Sequence, residues 1–182
     1  MNRIKTDIED VFMIESDVFA DTRGFFTESY TKEKFLALGV NVDFVQDNHS
    51  YSAVAGTVRG LHYQLRPAAQ TKLVRVGQGA IYDVVLDIRK ESATFGKWVG
   101  VTLTAANHRQ LYVPQGFAHG FCTLVPDTHV MYKVDSYYSP VHDRGIRWDD
   151  PTLDISWPTT KALLSDKDAR HPSFSEAEMN FS

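Results

Sequence analysis

Two short runs hold the residues best suited to chemistry: Val58-Arg-Gly-Leu-His-Tyr-Gln64 and Pro114-Gln-Gly-Phe-Ala-His119. Each sets a histidine, His62 or His119, in an apolar, strand-like segment. An unpaired polar group in a core costs free energy, so the two imidazoles point to a lined pocket. Imidazole titrates near neutral pH, which makes both candidates for moving protons. Taken singly, either could instead be a half-buried histidine satisfying backbone groups. Three cations, Arg23, Arg59 and Lys72, fall in or beside strand-like runs as well. A cation on an inward strand face needs an anion, and three of them suggest a phosphate or diphosphate gripped by arginine forks.

The spacing also speaks against a metal. Pro114-x-Gly-x-x-His119 matches an element of cupin-type jelly rolls, where a tight turn aims a histidine into the barrel. Many cupins bind a metal through a His-x-His pair, a later Glu and this second His. Here His62-Tyr63-Gln64 lacks the second imidazole, and Leu65 to Lys72 contains no acid. Two histidines fall short of the three or four ligands a transition metal takes, so no metal is expected and a metal-dependent oxygenase is disfavoured. Strand parity raises a conflict, because Arg59 and His62 are an odd number of residues apart and a regular strand would face them oppositely. Gly60 lies between them, and a bulge there would bring both to one pocket. Tyr132 shares a face with Val130 and Val134. It reads either as a core aromatic whose hydroxyl finds a backbone partner or as a proton donor.

The elements that must position these groups are strands. Period-two alternation runs through Ala80–Ile88, His129–Asp135, Lys72–Val76, Lys97–Leu103 and Gln110–Val113, broken by turns such as Gly77-Gln-Gly79, Thr94-Phe-Gly96 and Val125-Pro-Asp127. Helical signals are confined to Thr31–Gly39, with a capping Thr and a terminal Gly, and to a turn or two in Thr160–Asp168. The segment 170–182 looks peripheral. The 182 residues, 43% of them apolar and 23% charged, fit one all-β domain over 1–182. A net charge of −4 shows no basic stripe for nucleic acid. The only cysteine, Cys122, sits in an apolar run and reads as a buried, inert thiol. No apolar stretch resembles a signal or membrane span, so a cytoplasmic location is expected.

Taken together, these segments resemble the dTDP-4-dehydrorhamnose 3,5-epimerase family. The matching blocks run in order: Asp21–Ser29, Phe44–Ser50, Val58–Gln64, Lys72–Arg75, Ala80–Val84, Asp87–Lys90, Thr94–Trp98, Pro114–Phe121, Tyr132-Lys133, Asp143–Pro151 and Leu164–Asp168. The resemblance implies a cofactor-free, metal-free jelly roll (a cupin-like sandwich with one or two short peripheral helices). It implies a homodimer with an exchanged N-terminal segment, acting on a dTDP-4-keto-6-deoxyhexose. Carried across by position, His62 would be the general base and Asp168 its orienting carboxylate. Lys72 would stabilise an enolate, and Tyr132 would be the acid. Arg23, Glu28, Gln46, Asp47, Asn48, Arg59, His119, Asp143 and Lys167 would line the nucleotide-sugar site. Two alternatives stay open: a relative that inverts only C3 or only C5, and a jelly roll that binds a nucleotide sugar without turning it over.

Overall fold

The chain alternates between strands whose side chains point into and out of a two-sheet sandwich. The computed structural model describes residues 1–182. Its strands are β1 (Asn2–Lys5), β2 (Phe12–Glu15), β3 (Phe19–Asp21), β4 (Gly24–Phe26), β5 (Gln46–Ser52), β6 (Val58–Gln64) and β7 (Lys72–Gln78). They continue with β8 (Ala80–Asp87), β9 (Trp98–Thr104), β10 (Arg109–Val113), β11 (Phe117–Thr123), β12 (Thr128–Val134) and β13 (Asp143–Gly145). One sheet has the order β1-β2-β10-β7-β12-β5 and the other β13-β6-β11-β8-β9. Every strand pairing within them is antiparallel, and the interleaved order is that of a cupin-like jelly roll. The hairpin β3-β4 stands apart as its own two-stranded sheet.

The five-stranded sheet is covered on both faces and the six-stranded sheet on its inner face and over β2, β10 and the start of β7 outside, which lengthens the apolar runs there beyond simple alternation; Asp47, His49 and Tyr51 on the outer side of β5 stay exposed. Between the sheets lie Val74, Val76, Val85, Leu103, Leu111, Phe121 and Val130. The outer face of the six-stranded sheet packs Phe12, Ile14, Leu73 and Tyr112 against Phe35 of the one α-helix, α1 (Lys32–Ala37). Thr31 holds the N-cap position of α1 but makes no side-chain capping bond. Gly39 ends the helix with φ +99°, as the sequence predicts. Cys122 is buried, and burial pushes its thiol up to about 11, which agrees with an inert role. No helix is long and apolar enough to cross a membrane.

Two expectations about the C-terminal third are corrected. The helical turn expected in Thr160–Asp168 is a single 3₁₀ turn displaced to its end, at Asp168–Arg170, while upstream of it Leu163 makes an isolated bridge to Thr57. The segment 170–182 is not peripheral. Met179 and Phe181 are buried against Leu61, Leu65, Leu86 and Ile88 on the outer face of the five-stranded sheet. Asn180 brackets the Arg66 backbone, accepting its N–H at 3.0 Å and donating to its carbonyl at 3.1 Å. The Tyr63 hydroxyl donates to the Glu178 carbonyl at 2.6 Å. Short polar stretches between these anchors hid them, because two isolated apolar residues make no periodic signal.

Candidate active site

The bulge predicted at Gly60 is present. His62 pairs with His119 and Arg59 with Phe121, so three steps along β6 match two along β11. Gly60 is needed there for two reasons. Its φ is +127°, and a Cβ would lie 2.5 Å from the Gly120 Cα and 2.8 Å from the His119 carbonyl oxygen. The inserted residue turns Leu61 into the outer core and brings Arg59 and His62 to the inner side. Arg59 then donates to Ser52 Oγ at 3.2 Å and to the Tyr51 carbonyl at 2.9 Å.

A cavity of about 330 Å³ opens between the sheets, lined among others by His62, Lys72, Tyr132, Tyr138, Asp143 and Lys167. His62 Nε2 lies 2.6 Å from Asp168 Oδ1, which leaves Nδ1 as the nitrogen free of protein. Burial pulls the His62 imidazole below its ordinary value; Asp168 opposes this, while Lys72 and Lys167 add to it. Burial alone would raise Asp168, but His171, His62 and Ser165 outweigh it and hold the carboxyl well below the usual carboxylate range. The resting pair is therefore a neutral imidazole on an anionic carboxylate, the state a base requires.

Lys72 on β7 is buried, and its ammonium donates to the His62 carbonyl at 3.3 Å. Burial depresses it to about 8, and the Asp83 and Asp143 carboxylates limit the fall. It thus remains mostly cationic at neutral pH. Tyr132 on β12 is raised by burial, with Arg59 pulling the other way, so its phenol keeps its proton. No protein group accepts from that hydroxyl, in contrast to Tyr138, which donates to Asp143 Oδ2 at 3.0 Å. A neutral base, a buried cation and an undissociated phenol thus share one cavity, a set suited to moving a proton at a carbon beside a carbonyl.

The other expected residues divide into three groups. Gln46, Asn48, Asp143 and Lys167 line the cavity, and Lys167 is ion-paired with Asp143. Asp47 and His119 lie near it without lining it. Asp47 alternates to the outer face of the sheet and binds Lys133 at 2.9 Å. His119 is buried, its Nε2 2.5 Å from Asp83 Oδ1. Arg23 and Glu28 lie on or next to the β3-β4 hairpin, away from this chain's cavity, paired with Asp21 and Lys34. Tyr138 and His171 were not foreseen. Tyr138 follows a second tyrosine in an unpatterned loop, and His171 lies in the segment taken as peripheral.

His62, Asp168 and His171 place ligand-capable atoms within 4.8 Å of one another. Two ligands on a tetrahedral zinc would stand about 3.3 Å apart. The 2.6 Å between His62 and Asp168 is instead a hydrogen-bond separation.

Comparison with known proteins decides the family. The family model described as dTDP-4-dehydrorhamnose 3,5-epimerase matches residues 5–176. The chain belongs to the dTDP-4-dehydrorhamnose 3,5-epimerase family. A member from Shigella flexneri is 54% identical over 179 residues, covering 98% of each chain. The crystal structure of a Bacillus anthracis member with TDP and PPi bound superposes with a TM-score of 0.93 at 60% identity, covering 94% of this chain and 98% of that one. A Legionella pneumophila member in complex with dTDP-4-keto-L-rhamnose gives 0.93 at 41% identity, covering 100% and 99%. Membership in this epimerase family makes the chain an enzyme, an isomerase acting on sugars.

Proposed function

We propose that the chain inverts C3 and C5 of dTDP-4-dehydro-6-deoxy-D-glucose, giving dTDP-4-dehydro-L-rhamnose. The observation that carries the mechanism is the His62–Asp168 pair opening on a cavity that also holds Tyr132 and Lys72. Both carbons flank the C4 carbonyl, so their hydrogens are acidified. The free nitrogen of His62 takes the proton, the C–H electron pair becomes the C=C bond of an enolate, and the carbonyl pair moves onto oxygen. The Lys72 ammonium stabilises that oxygen. The Tyr132 hydroxyl then delivers a proton to the opposite face of the ring, inverting the carbon, and both groups reset by exchange with solvent. Positioned proton transfer typically gives about 10²–10⁴-fold, and the rest falls to Lys72 and the orientation of the sugar.

The binding residues belong to the same proposal: Gln46, Asn48, Arg59, Asp143 and Lys167 from one chain, with Asp47 and His119 around them. Arg23 and Glu28 would come from a second copy. Phe19, Phe25 and Phe26 of the β3-β4 hairpin are 62%, 61% and 65% exposed, a concentration of bare rings that a partner surface would cover. A dimer in which this arm reaches the neighbouring cavity would add the Arg23 guanidinium to the diphosphate. Sedimentation giving a monomer would defeat that part.

The test of the reaction is turnover of dTDP-4-keto-6-deoxyglucose in D₂O. Deuterium should enter at C3 and C5, and His62→Ala should stop it at both. Label at one carbon only would instead make this a single-carbon epimerase. Binding without exchange would make it a binding protein.

A further inference from the structure

Asp168 serves more than His62. His171 approaches the same carboxylate oxygen from the far side, its Nε2 3.2 Å from Oδ1 where His62 Nε2 stands at 2.6 Å. The two imidazoles meet edge to face, with centroids 5.4 Å apart at 78°. The His171 side chain is 8% exposed, and its Nε2 is sealed from solvent without a well-aimed hydrogen bond. The 3.2 Å approach to the Asp168 carboxylate is therefore an off-axis polar contact. A buried ring nitrogen in this position carries a free-energy cost, and structures rarely keep such groups without a use.

The surroundings hold His171 there firmly. The 3₁₀ turn Asp168–Arg170 ends at His171, whose N–H donates to the Asp168 carbonyl at 3.4 Å. Pro172 follows and accepts from the Arg147 N–H at 2.9 Å. The ring packs against Gly145, whose register partner on β6 is His62 itself. Gly145 has no positive φ, so its backbone does not demand glycine. A Cβ there would overlap Cε1 and Nε2 of His171. The bare position exists for the imidazole.

We propose that His171 is a positioning residue: it holds the Asp168 carboxylate in place from the side away from the cavity, making the dyad a His62–Asp168–His171 unit. This rests on the epimerase reading of the site. Each inversion takes His62 from imidazole to imidazolium and back, so its pull on Asp168 changes twice per carbon. Without His171, the groups that draw on the Asp168 carboxylate would be His62 and the Ser165 hydroxyl. With His171 present, the carboxylate keeps a second polar partner throughout and stays aligned for the next proton. Sharing the carboxylate between two rings also divides its attraction, so losing His171 leaves more of it for His62.

The other charged and titratable groups around the unit are Lys72 on β7, Lys167 before the 3₁₀ turn, Asp143 on β13, and Tyr132 and Tyr138 across the cavity. On the outer side lie Arg144, Arg170 and Glu178. None of these touches the carboxylate, so replacing His171 leaves their arrangement standing.

Three variants test this: His171→Leu, which keeps bulk and loses the polar nitrogen; His171→Gln, which returns an N–H at similar reach; and Gly145→Ala, which crowds the ring while keeping it. The first reading is the titration midpoint of the His62 imidazole by NMR in the substrate-free protein. The second is kcat against KM. His171→Leu and Gly145→Ala should raise the midpoint by about half a unit to one unit and cut kcat roughly tenfold, with KM within about twofold. His171→Gln should restore both. An unmoved midpoint with normal kcat in His171→Leu overturns the proposal, as does a folded His171→Gln no better than His171→Leu. The midpoint needs no turnover, so a wild-type protein that moves no deuterium would remove the epimerase reading while leaving the role of His171 separately decided.

Discussion

Replacing Lys72 by Met should stabilise the protein while abolishing its activity. The side chain is 7% exposed, and its ammonium is depressed from an ordinary 10.5 to about 8 even with the Asp83 and Asp143 carboxylates drawing it up. A depressed basic group is a cost of folding, because the unfolded chain binds the proton more tightly. The sign follows from linkage: between about 8 and 10.5 the unfolded state holds more protons, so stability rises with pH across that window. Below about 8 the cost is fully present. At about 1.4 kcal/mol per unit it amounts to roughly 3 kcal/mol at pH 7. Methionine fills much the same volume without the charge. For a chain of this length the gain corresponds to a Tm higher by roughly 6–12 °C. Calorimetry of both proteins from pH 7 to 10.5 measures it, and the gap should narrow steadily above pH 8. Equal or lower Tm for Lys72→Met at pH 7 would show that the ammonium is as well solvated in the fold as in water. That would refute the argument from burial. Loss of the deuterium label in the same variant ties the cost to function, since a cation kept at such expense has an anion to meet.

Other outcomes follow from the same geometry. Tyr132→Phe should lower inversion by about 10²–10⁴-fold while His62 still exchanges the carbon-bound hydrogen with retention, seen as label in unreacted substrate. The acid limb of kcat/KM should lie below the ordinary histidine value of about 6.5, because burial depresses His62 and a neutral base survives to lower pH. Asp168→Asn should push that limb lower still, since the carboxylate is what draws His62 up, and should reduce kcat. Phe181→Ala should cost about 3 kcal/mol in urea unfolding, as for other buried Phe truncations.

The strands, and so the sandwich, were legible because alternation in β8 and β12 and the turn signals between strands are local properties of the chain. The bulge at Gly60 was legible for a similar reason: a parity conflict between two polar residues has few local solutions, and glycine is one of them. What stayed hidden depends on distance. The His62–Asp168 contact joins residues 106 apart in sequence, and only the family resemblance linked them. The outward placement of Asp47 followed from alternation once the strand was known, yet its neighbour Asn48 lines the cavity. The burial of Phe181 could not be read from a tail in which apolar residues are sparse and carry no period.

The bulge in β6 also bears on how this site tolerates change. A strand is a two-phase object, and one inserted residue shifts every position after it into the other phase. Upstream of Gly60 the odd numbers face inward; downstream the even ones do. A chain that kept its length but held at position 60 a residue unable to take this conformation would straighten the strand, and it would aim His62 toward the outer core and Leu61 into the cavity. Substituting another side chain in β6 changes one contact, whereas straightening the bulge without shortening the strand exchanges the two faces beyond it. Gly60 works as a phase marker as much as a flexible residue, and a transplanted site that kept the spacing from Arg59 to His62 but lost the bulge would present the imidazole to the wrong layer of the protein.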